Sequence, residues 1–328
     1  MSSPTDALLA AADGGSVRAT ARLLSRIEAG GDRAAEVAAA LTGRPRSAVI
    51  TGLTGPPGVG KSTLTTEMVA RLRSAGRRVA VLAVDPSSPF SGGALLGDRV
   101  RMGEHTTDPG VYIRSMSSRG ELGGLSAAAP AAADLFSAIG FDDVLVETVG
   151  VGQNEIAVMR LADSVVVVLA PGMGDGIQAA KAGILEIADI LVVNKSDHDG
   201  ASVTVRDLKG MLALGRAGAE PHRWRVPVLS TVASRGNGSK ETGIDELLVA
   251  LDAHRQHLDV TGGGAARRQL RAEAAVQAVV IERVLAALAS TAGLERLAAA
   301  ARPVADGDTD HHRAAEQILD WLSARSTS

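Results

Sequence analysis

The sequence has no cysteine among its 328 residues. That excludes a disulfide framework, a thiolate metal site and a cysteine nucleophile. Aromatic residues make up only 2%, so a core must be assembled from Val, Leu, Ile and Ala, whose small volumes suit close-packed helices and buried strands. There is no long basic run and the formal net charge is -3, which leaves no electrostatic footprint for nucleic acid or an anionic membrane. The most apolar stretches, Ser164 to Ala170 and Ala188 to Val193, fall far short of the roughly 20 residues that span a bilayer. Met1 to Gly15 carries neither a basic start followed by an apolar run nor an Arg-rich amphipathic pattern, so it does not read as a targeting segment. The expectation is a cytoplasmic protein. What is present, 45% hydrophobic and 22% charged residues, is the composition of a folded globular chain.

Periodicity organises the chain. Ala21, Leu23, Leu24 and Ile27, then Ala34, Val37 and Leu41, recur at helical spacing around Gly30 and Gly31, which predicts two short helices. From Ser47 onward, β-branched runs alternate with helix-length segments. Strands are expected at 47–53, 79–84, 111–115, 143–147, 164–169, 190–193 and 226–230. Helices are expected at 62–75, 127–139, 154–161, 176–186, 201–214 and 244–257. Strands apolar on both faces and separated by helices imply a mainly parallel sheet covered on both sides, an α/β fold. Beyond Gly262–Gly264 the strand pattern stops, and helices are expected at 265–289 and 310–323. The chain therefore divides into an N-terminal helical extension (1–45), an α/β domain (46–258) and a C-terminal helical region (259–328). Gly236 to Gly243 reads as a flexible loop. The seven His residues are scattered and His311-His312 reads as part of a solvated helix, while Trp224 and Trp321 read as local packing anchors.

Three segments carry chemistry. Gly55-Pro56-Pro57-Gly58-Val59-Gly60-Lys61-Ser62 fits G-x-x-x-x-G-K-[ST] between an expected strand and helix. In that motif glycines let backbone N–H groups curl around phosphates, the lysine reaches the terminal phosphates and the hydroxyl ligates magnesium. Asn194-Lys195-Ser196-Asp197 follows the apolar run Ile190 to Val193, at a strand's carboxyl end, where α/β sheets bind ligands. An Asp carboxylate there can accept the N1–H and N2–H of guanine, for which adenine has no matching donors. Glu147-Thr148-Val149-Gly150 also ends a strand, placing an acidic residue near a metal and a glycine near a terminal phosphate. Asp85 and Asp98 are further carboxylates that could approach magnesium. Asp98 and Arg101 read equally well as solvated loop residues.

These motifs occur in one order with Val-Asp-Pro-Ser-Ser-Pro (84–89), Gly-Gly-Ala-Leu-Leu-Gly-Asp-Arg-Val-Arg-Met (92–102), Glu-Thr-Val-Gly-Val-Gly-Gln (147–153) and Gly-Asp-Gly-Ile-Gln-Ala-Ala-Lys-Ala-Gly-Ile-Leu-Glu-Ile-Ala-Asp (174–189). From about Val17 to Asp252 the chain resembles the MeaB/ArgK (MMAA-like) family, SIMIBI-class P-loop GTPases that gate adenosylcobalamin loading and protect methylmalonyl-CoA mutase. The resemblance implies GTP and GDP as bound nucleotides, a Mg2+ ion, an adenosylcobalamin-dependent acyl-CoA mutase as partner, and a homodimer formed through the C-terminal helices. It implies that Lys61, Ser62 and Thr63 hold phosphate and magnesium, that Asp85, Asp98 and Glu147 surround the metal, and that Asn194, Lys195 and Asp197 hold the base. Gln178 and Lys181 match a switch that connects nucleotide state to the mutase. Val232 stands where the family has Ser, so at Val232 and Ala233 only backbone contacts carry over. Asn237 to Thr242 lengthens the following loop, and the long C-terminal helix keeps Arg267, Arg268 and Gln269 but lacks the family's tryptophans. Two alternatives stay in view. An ATP-dependent kinase linked to arginine and ornithine transport proteins is opposed by Asp197, and a metal-delivery GTPase by the absence of cysteine and of a His-rich tract.

Overall fold

A computed structural model describes residues 3–86, 105, 107–118, 128–148, 161–172, 187–214, 224–235 and 242–325. The helices expected at 154–161 and 176–186, and most of the 236–243 loop, lie outside the described residues. Seven strands form one sheet: β1 (Val49–Thr54), β2 (Val79–Pro86), β3 (Val111–Ser118), β4 (Asp143–Thr148), β5 (Ser164–Leu169), β6 (Ile190–Val193) and β7 (Val228–Ser230). Their order is β3-β2-β4-β1-β5-β6-β7, and every pairing is parallel. β7 starts two residues later than its apolar run suggests, because Pro227 has no N–H to give to a ladder; its carbonyl still accepts from Leu191.

Ten helices accompany the sheet among the described residues: α1 (Pro4–Asp13), α2 (Val17–Ala29), α3 (Gly31–Leu41), α4 (Lys61–Ser74), α5 (Ala128–Ala138), α6 (Ala201–Leu214), α7 (Ile244–Thr261), α8 (Gly263–Ala289), α9 (Thr291–Ala305) and α10 (His311–Arg325). Strand side chains alternate between two cores, as a period of two requires. Val144, Val146, Val165, Val167, Leu191 and Val193 face one core with α5 and α1–α3. Leu53, Leu145, Val166, Val168, Ile190 and Val192 face the other with α4 and α7. Phe136 is fully buried, packed on Tyr112 at 5.4 Å and Phe141 at 5.2 Å between ring centroids. Replacing it by Ala would cost about 3–5 kcal/mol.

Helix α1 was not expected, although its start signal is present. Ser3 caps Asp6 N–H at 3.1 Å, Asp6 returns the bond to Ser3 N–H at 3.0 Å, and Pro4 follows the cap. This reciprocal cap satisfies two orphan donors, and Leu9 and Ala12 then enter the first core. Helix α9, also unexpected, opens on Ser290, whose hydroxyl accepts from Gly293 N–H at 3.1 Å.

The chain separates into two compact units, 1–274 and 275–328. In the second, α9 and α10 pack on each other. Helix α8 has no buried residue, and Val276, Val280, Leu285 and Leu294 are exposed. No single helix among the described residues is long and apolar enough to cross a membrane, although the bent pair α8 and α9 together matches in length and composition.

Candidate functional site

β1 is flanked by β4 on one side and β5 on the other. Chain direction across the sheet reverses beside it, so its carboxyl end opens at a topological switch point, where α/β sheets bind ligands. The loop 55–60 leaves β1 at this point and enters α4. Gly55 sits at φ 139, and a Cβ there would lie 2.1 Å from the Val168 carbonyl oxygen of β5. At Gly60 (φ 92) a Cβ would meet Asn194 Nδ2 at 2.5 Å. Glycine at both positions therefore follows from close approach as well as backbone shape.

Gly60 begins α4 with no side-chain cap, and the positive end of a helix dipole favours an anion there. Lys61 is buried and donates from Nζ to the carbonyls of Gly55 at 2.6 Å and Pro56 at 3.1 Å, so its ammonium lies across the loop. Ser62 is half-buried and Thr63 exposed; Pro57 and Gly58 are exposed, and Val59 is buried. Glu147, 2% exposed at the end of β4, receives hydrogen bonds from Ser62 Oγ to Oε1 (2.6 Å) and from Thr65 Oγ1 to Oε2 (3.0 Å). A serine hydroxyl beside a carboxylate is a set of hard oxygen donors of the kind magnesium takes. The pair present, Ser62 and Glu147, therefore fits magnesium. Asp85 lies on β2 one residue past the Val84–Thr148 pairing, so its backbone is at the same edge. Asp98, Gly150, Gln178 and Lys181 lie outside the described residues.

The segment Asn194 to Asp197 is tied to the loop. Buried Asn194 donates from Nδ2 to the Val59 carbonyl at 2.9 Å, while its Oδ1 accepts from Thr231 Oγ1 and Ala233 N–H, each at 3.1 Å. Lys195 Nζ reaches the Gly58 carbonyl at 2.7 Å from a backbone at φ 55. Ser196 N–H donates to the Thr231 carbonyl at 3.0 Å and Val232 N–H to the Thr242 carbonyl at 2.9 Å. Asp197 is exposed on the turn that follows. Thr231 escaped the sequence reading because its neighbours Val232 and Ala233 carried the resemblance, and a threonine ending a strand looks like any β-former.

At the sheet's opposite end lies His254. It is 1% exposed, with Nδ1 2.7 Å from Ser164 Oγ and Nε2 3.3 Å from Asp189 Oδ1. Arg267 grips Asp189 through both guanidinium nitrogens at 2.6 and 2.7 Å. Arg271 bonds Asp163 Oδ1 at 3.0 Å, and Asp163 Oδ2 accepts from Ile50 N–H at 2.9 Å. Trp224 is the expected packing anchor: its Nε1–H donates to the Asp189 carbonyl at 2.7 Å and its ring rests 4.8 Å from that of His254. Burial pushes the Asp189 carboxyl up, but hydrogen bonds from His254 and Arg267 outweigh it and hold it below the usual range. Asp143 differs. Arg77 Nε is 2.7 Å from its Oδ2, yet that oxygen has no directed hydrogen bond, and burial pushes the carboxyl up to about 7.

A parallel sheet with a glycine loop running into an uncapped helix at its switch point, a lysine across that loop and an acidic strand end beside it define a P-loop nucleotide-binding protein. The comparisons specify which kind. Residues 20–292 match the family model described as methylmalonyl Co-A mutase-associated GTPase MeaB, and the chain belongs to that family. It is 41% identical over 322 residues to a putative GTPase of Pyrococcus horikoshii, covering 98% of this chain and 99% of that one. It is 36% identical over 277 residues to the mouse mitochondrial methylmalonic aciduria type A homolog, covering 84% of this chain and 65% of that protein. A crystal structure titled LAO/AO transport system kinase superposes with a TM-score of 0.68 at 23% identity, covering 98% of this chain and 99% of that one. At that identity the likeness is one of fold.

Proposed function

We propose that this protein binds GTP with magnesium, hydrolyses it to GDP and phosphate, and uses that cycle to gate adenosylcobalamin loading into, and to protect, an acyl-CoA mutase of the methylmalonyl-CoA type. The observation that carries the reading is Asn194, which hydrogen-bonds the phosphate loop at Val59 and the β7 loop at Ala233 and so joins a phosphate cradle to a guanine-type motif in a family described by its mutase association. Lys61 supplies positive charge to the β- and γ-phosphates, the loop N–H groups and the start of α4 hold the phosphate oxygens, and Asp197 takes the guanine edge. Ser62 and Glu147, with Asp85 and Asp98, would hold magnesium, which when bound neutralises charge developing on the phosphates. Gln178 and Lys181 link nucleotide state to the mutase. The exposed apolar residues of α8 and α9 form the contact of a homodimer, since such a face is normally covered.

Calorimetry with GTP and ATP, followed by turnover with and without purified mutase, tests the reading. GTP binds and ATP does not, Asp197→Asn moves preference to xanthosine nucleotides, and mutase accelerates hydrolysis in the unaltered protein more than in Lys181→Ala. ATP binding as tight as GTP would overturn the base assignment. Absence of any complex with a cobalamin-dependent mutase would overturn the chaperone role and leave the GTPase.

A further inference from the structure

We infer that Thr65, which lies outside the phosphate-loop motif, is a positioning residue that sets the orientation of the Glu147 carboxylate for magnesium; the inference rests on the GTPase reading above. Thr65 is 0% exposed, on a helix whose buried positions include the apolar Leu64, Met68, Val69 and Leu72 beside the charged Lys61 and Glu67. A valine would fill the same volume there. A hydroxyl taken from water into that setting is costly unless it is hydrogen-bonded. Its Oγ1 lies 3.0 Å from Glu147 Oε2 and 3.0 Å from the Lys61 carbonyl. With one proton to give, it favours the charged acceptor, because hydrogen bonds to ionised groups are the stronger ones.

The geometry has a second half. Ser62 donates to the other carboxylate oxygen at 2.6 Å, and residues three apart on a helix share a face. Two hydroxyls of α4 thus hold one oxygen each. The terminal torsion of a glutamate is broad and two-fold, so a contact at each oxygen restricts the carboxylate more than a contact at one. Ser62 is also the hydroxyl magnesium would recruit. Thr65 is one turn further into the core, and keeps Glu147 oriented when Ser62 is engaged elsewhere.

The test is fluorescence titration of mant-GDP in EDTA and in excess Mg2+, with thermal melting by circular dichroism as a folding control. Thr65→Val is expected to bind mant-GDP in EDTA within about twofold of the unaltered protein, and to lose about tenfold of the tightening that Mg2+ brings, the scale of one hydrogen bond to a charged group. Thr65→Ser recovers the tightening. In a Glu147→Gln background, Thr65→Val has no further effect on it, since the two act through one contact. Unchanged Mg2+ tightening in Thr65→Val, an equal loss in EDTA, a Thr65→Ser protein as impaired as Thr65→Val, or additivity with Glu147→Gln would each overturn the inference. Should Thr65→Val not fold, Thr65→Ala replaces it in every arm, with the same expected and overturning outcomes. Failure of the unaltered protein to bind mant-GDP would instead overturn the nucleotide reading itself.

Discussion

Both ends of the sheet bury carboxylates, and they differ in what grips them. At the carboxyl end Glu147 is gripped by the hydroxyls of Ser62 and Thr65. At the amino end Asp189 is gripped by Arg267 and His254, and Asp163 by Arg271. A hydroxyl orients a carboxylate without cancelling its charge, whereas a bidentate guanidinium cancels it. The first arrangement suits a group that must still act on something; the second fastens α7 and the start of α8 to the strands. A buried acid is therefore best read by its partners, since burial alone is the same at both ends.

Substitutions at the two ends should separate accordingly. The largest effect is expected from Lys61→Ala, which removes charge from the phosphate cradle. GTP turnover should fall by at least about 10²–10³-fold, the scale of one preorganised stabilising group, with little change in melting temperature. Undiminished hydrolysis would remove the loop from the mechanism.

At the other end, Arg267→Met leaves Asp189 buried without its cationic clamp, held only by His254 and the Val165 N–H. Breaking a buried pair from one side costs about 3 kcal/mol or more, so the melting temperature should drop by about 6–12 °C, while GTP affinity measured calorimetrically stays within about twofold. A comparable loss of affinity would break the division between the two ends.

Thr231→Val is a smaller, sharper probe. It deletes the hydroxyl that holds Asn194 Oδ1, and nucleotide affinity should weaken by about fivefold, worth about 1 kcal/mol.

The last contrast lies in the pH dependence of unfolding by urea. Asp143 is raised to about 7 in the folded state, so folding takes up a proton between the ordinary carboxylate range and pH 7, and its contribution to stability declines as pH rises through that window. Asp189 is lowered, so its contribution is present above about pH 4 and is lost as pH falls below that. Asp143→Asn should flatten the profile between about pH 4 and 7 and leave the acid limb in place.

Much of the fold was legible because its signal is local. The strands 164–169 and 190–193 and the helix 201–214 are apolar or periodic runs bounded by turn residues, and they form where the pattern places them. The loop 55–62 and Asn194 to Asp197 are equally local, since spacing alone carries their chemistry. What escaped is non-local. His254 on an amphipathic helix looks solvated until Ser164, 90 residues earlier, is brought beside it. Thr65 looks like an ordinary helix residue until β4 delivers Glu147 to it, 82 residues later. Helix α1 is the exception: its Ser3, Pro4 and Asp6 signal is local, and only the packing of Leu9 and Ala12 into the first core is not.

Lys195 is the one non-glycine among the described residues with a left-handed backbone, at φ 55. A lysine gains nothing from that conformation, and glycine would adopt it at no steric cost. Yet only a long cationic side chain at this point can reach the Gly58 carbonyl. Lys195→Gly would thus ease the turn and remove one of the two ties between this segment and the loop 55–60, leaving the Asn194 bond to Val59 in place. Backbone shape alone favours glycine there, and the reach of Nζ to the Gly58 carbonyl is what lysine adds at the cost of a strained φ.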